Sequence, residues 1–413
     1  MLTAVPALTF PFMAQPDNFS LYQPLVAASL WLTARGLRGH PRSFVAAGLL
    51  AGVATLSRTD GVLVLAVIVA AASWDRLRGR LGLRFGEVRP ARVPLLATLG
   101  AVTLFATAIV PWWLRQLSVF GTLSPSTASG KVLFIRDIGE WNSIATPATL
   151  DHLLGMGLGP LLATRLNGLL SAIEIFTILV GAVVLVPLMA AGGWARRRDT
   201  AFGPFFGYAA LLFTFSTLVS AVHVPGGTFI HSAVALVPHA YVLALEGVAV
   251  AVGWLGRRRP AWRNGSGVTT LTGGIVAFTV LAGIASVGPV HDGWSRKRDQ
   301  MQAASVALDQ AGIPAGERLM SIDASGYRYW TGHPGVVLVN DPVGTVEQVA
   351  RAYGIRWLVL EGDDIVPTAH AILVDGVRPA WVGPPILDTD AVSVYPVCTT
   401  PGDERCPATG GGA

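Results

Sequence analysis

Apolar runs of near-uniform length alternate with short polar segments over most of the chain. Eight runs stand out, approximately at residues 19–34, 43–57, 60–74, 93–113, 168–192, 203–222, 232–255 and 267–288. A hydrocarbon core about 30 Å thick is crossed by about 20 helical residues. The runs therefore predict membrane-spanning helices, the second and third being short. Only Ser57-Arg58-Thr59-Asp60-Gly61 separates those two, which predicts a tight polar turn. A further apolar stretch, Leu2 to Ala14, is too short to span and contains Pro6 and Pro11. It lacks the Lys or Arg that opens a signal peptide, and reads as the end of a helix whose start lies upstream.

After residue 288 the pattern changes. Residues 295–311 have helical periodicity, Arg318–Ile322 reads as a strand, and Tyr327–Trp330 as a short helix. Val336–Asn340 is an expected strand, Val346–Tyr353 a helix, Arg356–Glu361 a strand, and Ala391–Pro396 a last strand. Strands alternating with helices predict a small α/β unit with a partly parallel sheet. The Gly-rich end, Pro407–Ala413, is expected to be disordered. The predicted fold is a polytopic α-helical membrane bundle (1–288) with a small soluble α/β domain at the C-terminus (289–413).

Composition agrees. The chain is 52% hydrophobic and 13% charged, against about 25% charged in soluble domains. The charge is split between the two parts. Residues 1–288 carry 21 Lys and Arg against 10 Asp and Glu, whereas residues 289–413 carry 9 against 15. No basic patch with aromatic platforms is present, which argues against nucleic acid as a partner. The basic residues sit in alternate loops: Arg35, Arg38 and Arg42; Arg76, Arg78, Arg80, Arg84, Arg89 and Arg92; Arg196–Arg198; and Arg257–Arg259 with Arg263. The positive-inside rule makes these loops cytoplasmic. Residues 15–19, 58–61, 114–167 and 223–231 then face outward, as does the C-terminal domain of this multi-pass cell-membrane protein. Within loop 114–167, residues 147–166 are expected to form an interfacial helix. Cys398 and Cys406 are expected either to pair, if the tail lies in an oxidising compartment, or to remain two thiols.

An outward active site needs polar groups at outer helix ends. Those present are Asp17 with Asn18 and Tyr22, Arg58 with Asp60, Arg115, Lys131, Arg136, Asp137, Glu140, His223 and His231. Asp17 has the position of a helix cap and equally that of a catalytic or metal-binding carboxylate. Arg58 and Asp60 read as a local ion pair, or as a guanidinium fork for a lipid-linked phosphate. Glu174 lies inside a predicted span, where a carboxylate is a functional candidate. Glu246 is expected to have a structural role. His223 and His231 are spaced unlike a zinc signature, and read as polar packing groups or substrate contacts.

Several segments carry a resemblance. Val53-Ala54-Thr55-Leu56-Ser57-Arg58-Thr59-Asp60-Gly61 resembles a G-L-A-x-L-T-R-P-(E/D)-G segment of the GT-C superfamily of membrane glycosyltransferases, in the branch of protein mannosyltransferase-like and aminoarabinose-transferase-like enzymes. Pro16-Asp17-Asn18 with Leu21-Tyr22-Gln23-Pro24-Leu25 is similar to its second outward acidic segment. Pro111-Trp112 with Phe120-Gly121-Thr122-Leu123-Ser124-Pro125, His231-Ser232-Ala233 through Pro238, and Tyr353–Leu360 resemble three more of its segments, in order. The resemblance implies sugar transfer from a polyprenyl-phosphate donor at the outer face, with inversion, and a divalent cation as a candidate cofactor. It implies Asp17 and Asp60 as catalytic candidates, Asp17 near acceptor or metal and Asp60 positioning Arg58. Arg58 would contact the lipid phosphate. Tyr22, Lys131, His223, His231 and Glu174 complete the expected substrate contacts. The family's usual base lies in an earlier outward loop that this sequence does not contain. The rival expectation is a non-enzymatic membrane scaffold, or a transporter-like protein, whose outward domain binds a partner. No internal repeat supports transport.

Overall fold

The apolar runs form helices in the computed structural model, which describes residues 5–15, 18–81, 93–123, 133–222, 229–259, 266–362, 366–399, 403 and 405–406. Asp17, Lys131, His223 and the end Pro407–Ala413 lie outside the described residues. The chain is mostly helical and divides into two compact units. One comprises Met1–Thr127 with Leu158–Pro289; the other comprises Ala128–Gly157 with Val290–Ala413. Residues 128–157, expected among the loops of the membrane part, thus belong with the C-terminal sheet.

The first unit is built from α1 (Phe19–Leu37), α2 (Arg42–Ser57), α3 (Val62–Leu81), α4 (Leu95–Phe120) and, past the second unit's insertion, further helices. Helix α5 (Leu150–Leu154) lies in the insertion and belongs to the second unit. The series continues with α6 (Leu158–Ile175), α7 (Val186–Arg196), α8 (Gly203–Leu218), α9 (Phe229–Ala233) and α10 (Val237–Arg258). The last, α11 (Ser266–Gln310), begins in the first unit and ends in the second. Among the described residues, four segments are long and apolar enough to cross a membrane: Leu95–Phe120, Leu158–Val180, Phe229–Arg258 and Gly267–Gln310. Helices α2 and α8 are apolar but shorter. The expected single span at 168–192 is interrupted. A π turn, Phe176–Val180, follows α6, and Ala182 and Val183 take positive φ (42° and 59°) before α7 restarts the helix. The expected interfacial helix at 147–166 is divided between α5 and the first half of α6.

Packing between these helices relies on small residues. An added Cβ at Gly192 of α7 would lie 1.9 Å from the Leu243 carbonyl oxygen of α10, and one at Gly247 would lie 2.0 Å from the Leu188 carbonyl oxygen. At Gly48 of α2 it would lie 2.1 Å from the Ala101 carbonyl oxygen of α4. Backbone-to-backbone approach of this kind is how helices associate where burial of apolar surface gives little drive. Other helix faces have no protein partner: Leu158, Leu162, Leu166 and Leu170 recur every four residues along α6, and all are exposed. Valine at Gly247 is expected to lower the unfolding temperature of the detergent-solubilised chain, since overpacking costs about 1–3 kcal/mol. Valine at Gly253, on the same helix with nothing within 4 Å, is expected to leave it unchanged. Equal unfolding temperatures for both variants would refute the close-packing account.

The second unit is centred on a five-stranded sheet in the order β2-β1-β3-β5-β4. Strands β1 (Arg318–Ser321), β2 (Gly335–Val337) and β3 (Ile355–Glu361) are parallel, and β5 (Val392–Pro396) runs antiparallel between β3 and β4 (Leu387–Asp388). Helix α12 is Ala324–Thr331, α13 Val343–Tyr353 and α14 Pro367–Leu373. Met301, Ala304 and Leu308 at the end of α11 pack on one sheet face with Leu319, Trp357 and Val359. Val346, Val349, Ala369 and Ile372 of α13 and α14 cover the other, over Met320, Leu358 and Leu360. The alternation along β3 thus buries both faces, as a parallel-type layer requires. Cys398 and Cys406 form a disulfide. The inserted segment is tied to the sheet by Asp341, which is 1% exposed. Its carboxylate accepts from Ser143 Oγ at 2.6 Å, Ile144 N at 2.8 Å and Ala145 N at 3.3 Å.

Candidate functional site

At the turn between α2 and α3, two charged residues meet a partner from a helix distant in sequence. Helix α2 ends because Arg58 leaves it in extended conformation (φ −150°, ψ 133°), its N–H still donating to the Ala54 carbonyl at 2.8 Å. Thr59–Gly61 then makes one 3-10 turn into α3. Only glycine fits at position 61, because an added Cβ would lie 2.5 Å from the Thr55 nitrogen. This geometry folds Asp60 back on Arg58: Arg58 Nε donates to Asp60 Oδ1 at 2.9 Å. The two side chains are 19% and 10% exposed, so the pair is largely withdrawn from water yet reachable.

Ser232, on α9, completes the arrangement. Its Oγ accepts from Arg58 Nη2 at 3.3 Å and donates to Asp60 Oδ2. One carboxylate therefore holds a guanidinium on one oxygen and a hydroxyl on the other. A guanidinium so fixed loses less rotational entropy when it meets a ligand, and its planar fork suits a phosphate. Beside Ser232, His231 Nδ1 lies 3.3 Å from Asn18 Oδ1 at the start of α1. The His231 ring stands 4.5 Å from that of Phe19. Tyr22, one turn further along α1, is fully buried and shares a 3.1 Å hydroxyl contact with Tyr208 of α8. Both tyrosines lie within electrostatic reach of Arg58 and Asp60.

Arg58, Asp60, Tyr22 and His231 are thus brought to one region, at the ends of α1, α2, α3 and α9. Glu174 is not. It is exposed on the last turn of α6, without a hydrogen-bond or ion-pair partner among the described residues. Arg115 lies over the Trp112 ring, 5.2 Å from its centroid. Arg136 and Glu140 belong to the second unit, where they hold the inserted segment together through His152. Glu246 accepts both its bonds from Arg196, at 2.8 and 2.9 Å, the structural role expected of it.

Sequence reasoning did not single out Ser232 or Tyr208. Ser232 had two available signals, its place directly after His231 and its presence in the resembling segment His231-Ser232-Ala233. Tyr208 had only the general need of a buried phenol for a polar partner. Among the described residues, Asp60 is the only carboxylate joined to the cluster, and no three His, Cys, Asp or Glu side chains gather as a metal site. No protein-family model and no curated protein matches this chain.

Proposed function

We propose that the chain is a polytopic membrane protein of glycosyltransferase type, which transfers a sugar from a polyprenyl-phosphate donor at the membrane face opposite the Arg-rich loops. The observation that carries the reading is the Arg58–Asp60–Ser232 arrangement: a fixed, partly accessible guanidinium at helix ends, separated by one helix on either side from the nearest other arginines, Arg42 and Arg76. In this reaction the acceptor oxygen forms a bond to the anomeric carbon and the bond from that carbon to the phosphate oxygen breaks. The electron pair leaves on the polyprenyl phosphate, where Arg58 stabilises it, and the acceptor proton passes to a carboxylate base. Asp17, two residues from the α1 start, is the base candidate within this sequence.

Sidedness has support independent of arginine counts. Residues 128–157 and the C-terminal sheet form one unit with shared buried hydrogen bonds, so they lie on the same side of any membrane. Three segments between them, Leu158–Val180, Phe229–Arg258 and Gly267–Gln310, are long and apolar enough to cross a membrane. The reading counts the shorter apolar α8 as a fourth pass, an even number that would return the chain to that side. The disulfide in this unit fits an oxidising compartment. The exposed leucine row of α6 fits a lipid-facing surface.

The test is transfer from a radiolabelled polyprenyl-phosphate sugar in host membranes, comparing a gene deletion with its complemented strain. Donor consumption restored by the wild-type gene and not by the Asp60→Ala variant is the expected result. Equal consumption in deletion and complemented membranes would sink the reading.

A further inference from the structure

The opposite ends of the same helices enclose a cavity of about 540 Å³, within the roughly 300–1,000 Å³ of small-molecule sites. Its walls come from the ends of α1 and α3, the α7–α8 connection and the first turn of α8. Leu37, Trp74 and Phe206 give it an apolar wall, and Arg197 and Arg198 supply cationic groups. Two carboxylates also line it, but both are engaged. Asp75 accepts from Val93 N at 2.7 Å, while Asp199 accepts from Ala201 N at 2.8 Å and pairs with Arg196 at 3.5 Å. Arg197 lies over the Trp194 ring, 4.2 Å from its centroid. Arg198 is exposed and has no hydrogen-bond or ion-pair partner among the described residues.

Arg197 also donates to the Trp194 carbonyl, which leaves Arg198 as the lining guanidinium without a partner among the described residues. That group facing an aromatic-aliphatic wall suits an amphiphile with an anionic phosphate ester. Trp74 is half-exposed at the rim, the position of an interfacial anchor. The cavity stands at the helix ends that carry the arginine-rich loops, the leaflet in which anionic lipids meet basic pockets between helices. We infer that this cavity binds the headgroup of an anionic glycerophospholipid, with Arg198 and Arg197 on its phosphate and the acyl chains leaving past Trp74. The site rests on the membrane part of the reading above and is independent of sugar transfer.

The experiment uses the full chain in nanodiscs of equal parts phosphatidylglycerol and phosphatidylcholine, followed by native mass spectrometry of the released protein. Wild-type chain is expected to retain phosphatidylglycerol in preference to phosphatidylcholine. The double variant Arg197→Gln/Arg198→Gln is expected to lose that preference by about tenfold, as charge-assisted hydrogen bonds to one phosphate are removed. Arg42→Gln, at the exposed arginine that is the first residue of α2, is expected to keep it, and thermal unfolding checks that each variant is folded. No preference in wild type, or an undiminished one in the double variant, would overturn the site. Displacement of the lipid by glycerol phosphate would overturn it in favour of a soluble phosphate ester. A chain that fails to enter membranes at all would overturn it together with the membrane reading, whereas absent sugar transfer would leave it standing.

Discussion

Alanine at position 58 is expected to lower kcat/KM for sugar transfer by roughly 10²–10³-fold, the scale on which one preorganised donor acts on charge developing in a transition state. In the proposed reaction that charge is the second negative charge that the polyprenyl phosphate acquires as the anomeric carbon departs. Arg58 is held by Asp60 Oδ1 and Ser232 Oγ, so little reorganisation would accompany the proposed reaction. Lysine at 58 keeps the charge but not the fork, and cannot serve Asp60, Ser232 and a phosphate together. It is expected to recover only a small part of the loss. Serine 232 to alanine leaves the ion pair in place and is expected to cost about tenfold or less. Asp60→Asn weakens the positioning of Arg58, and should raise KM for the donor more than it lowers the unfolding temperature. Arg58→Ala transferring at the wild-type rate would remove the guanidinium from the mechanism.

How much of this was legible before the structure depends on the range of each interaction. The Arg58–Asp60 pair is two residues apart, so a charged turn between two apolar runs announces it. Its third member, Ser232, lies 172 residues from Asp60, and no local pattern reports which hydroxyl a distant turn will meet. The same holds for Tyr22 and Tyr208, 186 residues apart. Hydropathy found the helices but not their interruptions. Residues 168–192 are apolar throughout, yet Ala182 and Val183 adopt the left-handed region, which a β-branched residue enters only when packing over-determines it. Gly181 and Pro187 bracket that break and were its only local sign.

In the C-terminal unit, β1, β3, β5, α12 and α13 followed the expected alternation. Helix α14 and strand β4, with seven and two residues, are too short for a period to be read. The strand expected at Val336–Asn340 ends at Val337. Beyond it the chain is drawn away to present Asp341, whose partners Ser143, Ile144 and Ala145 lie almost 200 residues earlier and could not be seen from either segment alone.

That carboxylate sets the second large effect. Asp341→Ala is expected to destabilise the second unit by about 3–5 kcal/mol, since three hydrogen bonds to a charged group are lost at about 1.5–3 kcal/mol each and water replaces them only in part. Three donors lose their acceptor at once: the Ser143 hydroxyl and the Ile144 and Ala145 amides. Two are backbone amides, whose direction is set by the fold of the segment. Ser143 Oγ in turn accepts from Thr146 N at 3.0 Å, so the disturbance spreads through residues 142–146. The Asp341 carbonyl also accepts from Thr368 Oγ1 at 2.9 Å, a backbone contact that alanine preserves. Helix α14 is therefore expected to stay docked while the inserted segment comes loose. Limited proteolysis of the full chain in membranes reads this directly: cleavage between residues 133 and 157 should appear in Asp341→Ala under conditions where wild type resists it, with residues 290–399 still protected. Asparagine at 341 keeps one acceptor oxygen and the shape, and should fall between the two. Ser143→Ala deletes one donor and leaves the amide bonds to Asp341, so it should cost about 1 kcal/mol. Wild-type protection in Asp341→Ala would mean that the inserted segment is held to the sheet by contacts other than this carboxylate, and the argument that places both on one side of the membrane would lose its main support.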